Sequence, residues 1–526
     1  MFIQRSSLFL FIVICILSCG TDTKSKMDAD HIKKPNIIYI LADDLGYAEV
    51  GAYGQDKIET PNIDALAKSG MLFTQHYTSA PVCAPARHML LTGKHAGHAY
   101  IRSNSEWNER GDVWNYKAMA QDSTLEGQGP MPANTITIAD HLKEVGYSTA
   151  LVGKWGLGAP HTKSVPNDMG FDFFYGYNCQ RQAHTYYPLH LYKNRNRVHL
   201  ANDTVAPNTP MALGKDRNDE KSYADFNLKE YSPDLMFKEI TNFVDTHKDK
   251  PFFLYWASPI PHVALQAPKR WVDYYISKFG TEEPYQINEP RGGYFPHKNP
   301  HAAYAAMVSY LDENIGKLII QLKEEGIYDN TLIVFTSDNG PSYAGGADPT
   351  FFNSAKPFQS EYGKGKGFLY EGGIRVPMIA SWPYKIKAGS TSDHISVHYD
   401  MLATFAEVAS FEIPTKTDGV SMLPTMLSSD SQEQHEFLYW EFPSYGGQVA
   451  LRMGDWKLVR QNLNNNKPAT LELYNLKNDP TETTNVAAMH PEILESAAKI
   501  FKNNRNIPEI EDFKIPILQA GLLTEK

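Results

Sequence analysis

The chain reads as an α/β protein: a large, mixed, mostly parallel sheet flanked by helices, followed by a smaller C-terminal α+β domain built on an antiparallel sheet. Three observations predict this. Short, continuous apolar runs at 35–42, 147–152, 251–257 and 331–336 have the character of strands buried on both faces. Stretches with helical apolar spacing separate them, as crossovers between parallel strands require. Beyond residue 430 the pattern changes to short runs divided by turn residues, the habit of antiparallel strands. With 526 residues, 42% of them hydrophobic, the chain can bury a large core. Its formal net charge of -10 argues against a nucleic-acid partner. An anionic substrate stays open, because a few local cations can hold one in a cleft.

Residues 1–19 read as a leader. Arg5 supplies a weak positive start, and the apolar run 8–17 is short for a membrane span. Ile16-Leu17-Ser18-Cys19 resembles a bacterial lipobox, which makes Cys19 the lipidation site and 20–34 a polar tether. An ordinary signal peptide with a chance cysteine is the alternative. On the lipobox reading the protein is exported and held on a bacterial membrane by lipid alone, in the periplasm or at the cell surface. Cys15 leaves with the leader, so Cys83 and Cys179 are the cysteines without a lipid role, and a disulfide framework is not expected.

The catalytic unit is read over 35–428. Its first strand ends in Asp43-Asp44. Two carboxylates at the end of a buried strand need neutralising, and a hard cation with oxygen ligands does this. Ligands of such sheets gather outside the carboxyl ends of the strands. Thr60, Pro61 and Gly70 punctuate a helix. A strand at 73–77 then delivers Cys83 and Arg87. Helical spacing over 87–91 puts Cys83 near a helix amino end, where anions are favoured.

Residues 102–133, with Trp107, Trp114 and Tyr116, form a long insert that suits either a sugar face or a plain surface loop. A helix is predicted at 135–145, and the next strand leads to Lys154. Arg181 and His184 fall in a polar-aromatic stretch suited to a substrate pocket. Residues 191–222 read as irregular and 232–246 as a helix. The strand at 251–257 leads to His262, which follows Pro259 and Pro261 and is thereby held in place. A second irregular stretch, 263–300, contains Arg291 and His297. A helix covers 304–324, with Met307, Leu311, Ile315 and Leu318 on one face. The strand at 331–336 ends in Asp338-Asn339-Gly340, a second oxygen-rich strand end. The glycine-rich stretch 364–377 brings Lys366 within reach, and Glu371 and Arg375 can pair. A polar linker near 427–431 precedes the C-terminal subdomain, 429–526, with strands at 435–441, 449–453, 456–460 and 471–474 and a helix at 489–503.

Cys83-Ala84-Pro85-Ala86-Arg87 followed by Leu90-Leu91-Thr92-Gly93 resembles the signature of the formylglycine-dependent sulfatases. Ile40 to Gly46, Thr336 to Gly340, Lys366-Gly367 with Tyr370 to Pro377, and Arg452 to Leu458 with Leu473 to Pro480 resemble that family's other segments, in the same order. The likeness runs over nearly the whole mature chain and is to the bacterial polysaccharide-degrading members. It implies an alkaline-phosphatase-like fold and hydrolysis of sulfate esters on a sulfated carbohydrate. Asp43, Asp44, Asp338 and Asn339 would then hold a divalent cation, usually calcium, with magnesium as the alternative. Cys83, oxidised to formylglycine by a formylglycine-generating enzyme, would be the nucleophile and lie against the metal. Arg87 would stabilise its hydroxyl. Lys154, His262 and Lys366 would contact the sulfate, with Lys366 or His262 assisting the leaving oxygen.

Two positions depart from the pattern. Ala86 stands where the family has serine. Gly156 follows Lys154-Trp155 where the family often has histidine, which leaves the base of the elimination step unassigned between His161, His184 and others. Two other functions are compatible with the sequence: a phosphate or phosphonate monoester hydrolase of the same fold, and a glycan-binding protein with unconverted Cys83.

Overall fold

The computed structural model describes residues 34–289, 292–413, 416–464 and 471–519. The leader with Cys15 and Cys19, the tether up to residue 33, and Arg291 lie outside the described residues.

Sixteen strands occur among these residues. They are β1 (Asn36–Ala42), β2 (Met71–Phe73), β3 (His76–Tyr77), β4 (Ser148–Lys154), β5 (Phe173–Tyr177), β6 (His190–Lys193), β7 (Asn196–His199), β8 (Phe252–Ala257), β9 (Thr331–Ser337), β10 (Met378–Ser381), β11 (Ser390–Ser392), β12 (Ser396–Val397), β13 (Leu438–Phe442), β14 (Gln448–Met453), β15 (Trp456–Arg460) and β16 (Leu471–Asn475). Ten of them form one sheet in the order β11-β2-β10-β9-β1-β8-β4-β5-β6-β7. Its centre, β9-β1-β8-β4-β5, is parallel, while β10, β6 and β7 add antiparallel partners. The expected mixed, mostly parallel sheet is present.

Alternate residues of β1 serve opposite faces, as strand geometry dictates. Ile38 and Ile40 join a core with Val152, Trp256 and the helices Ser232–His247 and Pro300–Glu324. Ile37, Tyr39 and Leu41 join another with Leu151 and Tyr255. Both faces are therefore covered, which explains why these strands read as unbroken apolar runs.

The helices that matter for the site are α1 (Pro61–Ser69), α2 (Cys83–Thr92), α3 (Tyr116–Gln121), α4 (Ile138–Glu144), α5 (Ser232–His247), α6 (Lys269–Phe279), α7 (Pro300–Glu324) and α8 (Glu371–Ile374). Thr137 and Asp140 form a capping box at the start of α4, so that helix begins later than its apolar spacing implied. The strand expected at 73–77 is two, β2 and β3, which pair with different sheets. The stretch 191–222 read as irregular carries a hairpin, β6–β7, turning at Asn194 with φ 55°. The stretch 263–300 contains α6.

The four C-terminal strands form an antiparallel sheet in chain order, as expected. They do not stand apart from the catalytic unit. Leu438, Trp440 and Phe442 share a core with Tyr77, Val82, Leu369 and Ile374, and Tyr439 and Leu451 share another with Ala86 and Met89 of α2. The C-terminal sheet therefore supports both the helix that starts at Cys83 and the loop that carries Lys366.

Candidate active site

Parallel pairing brings the carboxyl ends of β1, β9, β8 and β4 to one edge of the sheet. Ala42 lies opposite Ser337, Leu41 opposite Ala257, and Gly153 opposite Ala257. The residues that follow, Asp43-Asp44, Asp338-Asn339 and Ser258 to His262, together with Lys154 at the end of β4, meet there. Gly153 is needed for this closeness: a Cβ on it would stand 1.9 Å from the Ala257 carbonyl oxygen. Asp44 has φ 68°, a conformation that non-glycine residues hold only where the surroundings impose it. Its N–H donates to Asp338 Oδ1 at 3.1 Å, and the Leu45 N–H donates to Ser337 Oγ at 2.9 Å.

Cys83 is the first residue of α2 and is fully buried. Its thiol faces Asp43 Oδ1 at 3.2 Å and Asp44 Oδ1 at 3.8 Å, and Lys366 Nζ lies 3.7 Å from the sulfur. Burial, with Asp338 and Asp43 beside it, pushes the thiol pKa well up, so an unmodified Cys83 stays protonated. The Asn104 side chain accepts from the Ala84 N–H and fixes the start of the helix.

Three cations surround the three carboxylates. Lys154 Nζ, fully buried, donates to Asp43 Oδ2 at 2.6 Å. Arg87 donates from Nε and Nη2 to Asp338 Oδ2 at 3.0 and 2.8 Å, and from Nη1 to the Lys154 carbonyl at 3.0 Å. Lys366 Nζ donates to both oxygens of Asp44, at 2.5 and 2.6 Å. Burial alone would raise the Asp43 pKa, but Lys154, Arg87, His262 and Lys366 hold it well below the usual carboxylate range. Asp338 has the opposite fate. Burial and the neighbouring Asp43 push it to about 7, against the pull of Arg87.

The donor set fits a hard divalent cation. Asn339 gives its amide N–H to Asp44 Oδ1 at 2.8 Å and to the Gly340 carbonyl, while its Oδ1 is buried with no hydrogen-bond partner. An orphaned amide oxygen among three buried carboxylates is the all-oxygen environment such ions take. Ligand atoms of Asp43, Asp44, Cys83 and His262 lie within 4.8 Å of one another.

His262 is buried, with Nε2 3.7 Å from Asp44 Oδ2 and Nδ1 against the Val263 carbonyl. A carbonyl only accepts, so the ring proton belongs on Nδ1 and the lone pair of Nε2 faces the site. Burial, then Lys366, lowers the His262 pKa well below its ordinary value. His184, from the short turn Gln180–His184, stacks on it with ring centroids 4.9 Å apart and planes 9° apart. Burial and His262 lower its pKa too.

A cavity of about 300 Å³ opens over Lys366, with His184 and His262 in its wall. Arg181 does not reach it. Its guanidinium donates to the Val113 and Trp114 carbonyls and lies over the Trp114 ring, so it braces the 102–133 insert. His161 is exposed, bonds Ser123 Oγ at 2.8 Å, and lines a separate cavity. The sequence reading passed over Asn104, Gln180, Tyr343 and Tyr445, which also line the cavity over Lys366. For Tyr445 a signal exists: an aromatic residue followed by Gly446-Gly447 at a hairpin tip. For Gln180 and Tyr343 no sequence signal is evident.

Known proteins resemble the chain over most of its length. A family model described as Sulfatase matches residues 35–411, and one described as N-sulphoglucosamine sulphohydrolase, C-terminal, matches 361–505. The N-acetylgalactosamine-6-sulfatase of Rattus norvegicus is 31% identical over 415 residues, covering 77% of this chain and 68% of its own. The N-acetylgalactosamine-6-O-sulfatase of Bacteroides thetaiotaomicron is 26% identical, covering 93% and 97%. The solved structure of Ps i-CgsB in complex with k-i-k-neocarrahexaose is 29% identical with a TM-score of 0.70, covering 91% and 94%. A phosphonate monoester hydrolase of Agrobacterium radiobacter, 19% identical with a TM-score of 0.54, shares the fold alone.

Proposed function

The chain belongs to the sulfatase family and is a sulfuric ester hydrolase, and from that premise we propose that it removes sulfate ester groups from a sulfated polysaccharide or its oligosaccharides, using Cys83 as formylglycine and a divalent cation. The observation that carries the reading is the position of Cys83. It opens a helix, touches Asp43 and Lys366, and stands inside a ring of three carboxylates and three cations. The carbohydrate part is supported by the relatives named for N-acetylgalactosamine 6-sulfate and by the neighbour solved with a carbohydrate ligand.

The hydrate of the residue at 83 supplies a hydroxyl to attack sulfur and a second hydroxyl whose deprotonation expels sulfate and restores the aldehyde. Asp43, Asp44, Asp338 and Asn339 would hold a cation, calcium by preference and magnesium as the alternative, which would supply positive charge to the sulfate oxygens and acidify a hydroxyl beside it. The chain's own side chains do the rest. Arg87, locked on Asp338 and the Lys154 carbonyl, holds the strand ends in register. Lys154 and Lys366 place fixed charge where negative charge grows in the transition state. Lys366 is the donor for the leaving alkoxide: burial would lower its pKa, but Asp44 holds it well above the ordinary lysine value. His262, with its lone pair turned inward, is an acceptor.

Because Cys83 is fully buried, its oxidation by a maturation enzyme has to precede folding. The leader reading belongs with this function. An exported, lipid-anchored hydrolase meets polymeric substrate outside the cytoplasm. Among the described residues no helix is long and apolar enough to cross a membrane.

Turnover of an aryl sulfate against the matching aryl phosphate tests the reaction, and a preference for phosphate would overturn it. The mass of the peptide containing residue 83 tests the nucleophile: conversion of thiol to aldehyde exchanges one sulfur and two hydrogens for one oxygen, a loss of about 18 Da. A Cys83→Ala variant with full turnover would remove the mechanism.

A further inference from the structure

The cavity over Lys366 is lined by both polar and aromatic side chains. The polar ones include Asn104, Gln180 and Ser444. The aromatic ones include Tyr294, Tyr343 from the loop after β9 and Tyr445 from the hairpin between β13 and β14. Tyr445 is 50% exposed, unlike the buried rings around it. Its backbone has φ 53°, a left-handed conformation that a tyrosine holds only under constraint. The constraint is visible. The ring packs edge-on to Phe368 at 5.6 Å and against Phe442 at 5.7 Å, and it shares a side-chain hydrogen bond with Tyr343. It also lies over Gly367, next to Lys366: a Cβ there would meet the Tyr445 ring at 3.0 Å. Ser444 beside it bonds the Ser103 hydroxyl at 2.6 Å, tying the hairpin to the insert at the rim of the cavity.

Backbone strain, a partly exposed ring and a glycine that makes room for it have no evident purpose in packing alone. A pyranose offers an apolar C–H face and a rim of hydroxyls, which matches a lining that combines aromatic rings with polar side chains. The cavity of about 300 Å³ is at the small end of ligand pockets and suits one ring. Lys366 in the lining provides for an anionic group on the substrate. Resting on the sulfatase reading above, we infer that Tyr445, with Tyr343, is the platform on which the sulfate-bearing sugar ring stacks.

The test is steady-state sulfate release from singly sulfated N-acetylgalactosamine and galactose, with 4-nitrophenyl sulfate alongside. Tyr445→Ala should raise KM for the sugars about tenfold, the size of a lost aromatic contact, with kcat changed less than about twofold. Tyr445→Gly, which suits the positive φ, should behave the same and guards against a folding defect. Tyr445→Phe and Tyr445→Trp keep the ring and should stay within about threefold of the unaltered protein, and the indole emission gained in Tyr445→Trp should shift on sugar binding. Unchanged KM in both the Ala and Gly variants overturns the inference. So does an unaltered protein that hydrolyses the nitrophenyl ester but none of the sugars, a result that leaves the sulfatase reading standing. No sulfate release from any substrate defeats the sulfatase reading itself, and the inference with it.

Discussion

Lys457 lies on β15 and is fully buried, with Nζ 2.8 Å from Glu371 Oε1 and 2.8 Å from Glu482 Oε1. Glu371 opens α8, in the loop that carries Lys366. It also takes Arg375 at 3.0 Å and the Tyr77 hydroxyl at 2.7 Å, and its own N–H donates to Glu482 Oε2 at 2.7 Å. Two buried carboxylates thus share one ammonium. Burial raises both, but Lys457, Arg375 and Arg452 bring Glu371 down to about 2, whereas burial, against Lys457, leaves Glu482 at about 7. The signs oppose. Glu371 contributes stability above pH 4.5 that is lost as the pH falls through about 2, and Glu482 contributes stability below pH 4.5 that is lost as the pH rises through about 7. Each is on the order of 3 kcal/mol, so they nearly cancel at neutral pH. The effect of Lys457→Met is therefore not the loss of a strong bond but the exposure of two uncompensated carboxylates, about 3–5 kcal/mol. In a protein of this size that is a fall in Tm of about 3–5 °C, read by a thermal scan at fixed rate. Adding Glu482→Gln should recover part of it, and lowering the pH from 7 to 5 should raise the Tm of Lys457→Met relative to the unaltered protein. A variant Tm within about 2 °C of the unaltered value, or no relative gain at pH 5, would refute the reasoning.

Two further outcomes follow from the site. Asp338, held at about 7, loses its stabilising contribution as the pH rises from 3.8 through 7, so calcium should raise the Tm of chelator-treated protein more at pH 8 than at pH 5; equal shifts would mean that the carboxylate cluster does not hold the ion. Lys366→Met removes the donor for the leaving oxygen, so kcat should fall about 10²–10³-fold on a sugar sulfate and far less on 4-nitrophenyl sulfate, whose phenolate leaves unaided; equal losses on the two substrates would take that role from Lys366.

Much of the fold was legible because its strands are covered on both faces, which erases the polar alternation and leaves apolar runs that end abruptly. The acidic ends of β1 and β9 were legible for the same reason: carboxylates at such positions need a partner. What stayed hidden depended on direction rather than pattern. Arg181 sits one residue from Gln180, which lines the cavity, yet its guanidinium turns to Val113 and Trp114. Helix α6 is amphipathic, with Trp271, Val272, Tyr275, Ile276 and Phe279 on the core side, so its spacing was legible in the stretch read as irregular. The edge hairpin β6–β7 is mostly polar because β7, at the end of the sheet, is half solvated. The motif around Lys457 was visible, but not that its lysine lies under the loop of Lys366, because that contact joins residues 86 positions apart.

The departure at position 156 gains a physical account from the same geometry. Gly156 has φ 71° and its N–H donates to the Asn178 carbonyl at 3.1 Å, so a histidine there would carry the strain of the left-handed region, about 1–2 kcal/mol. On the proposed mechanism the second half of the cycle needs an acceptor that is neutral while sulfate is bound, and cations in the site work against a charged imidazole. His161 is too far removed to serve, being exposed and paired with Ser123. His184 and His262 come from separate segments, face the cavity as a stacked pair, and are both kept neutral, by burial first and then by each other or by Lys366. The chain lacks the histidine beside Trp155, but its site retains two imidazoles able to receive a proton, and of these His262 already turns a free nitrogen toward the carboxylates that flank Cys83.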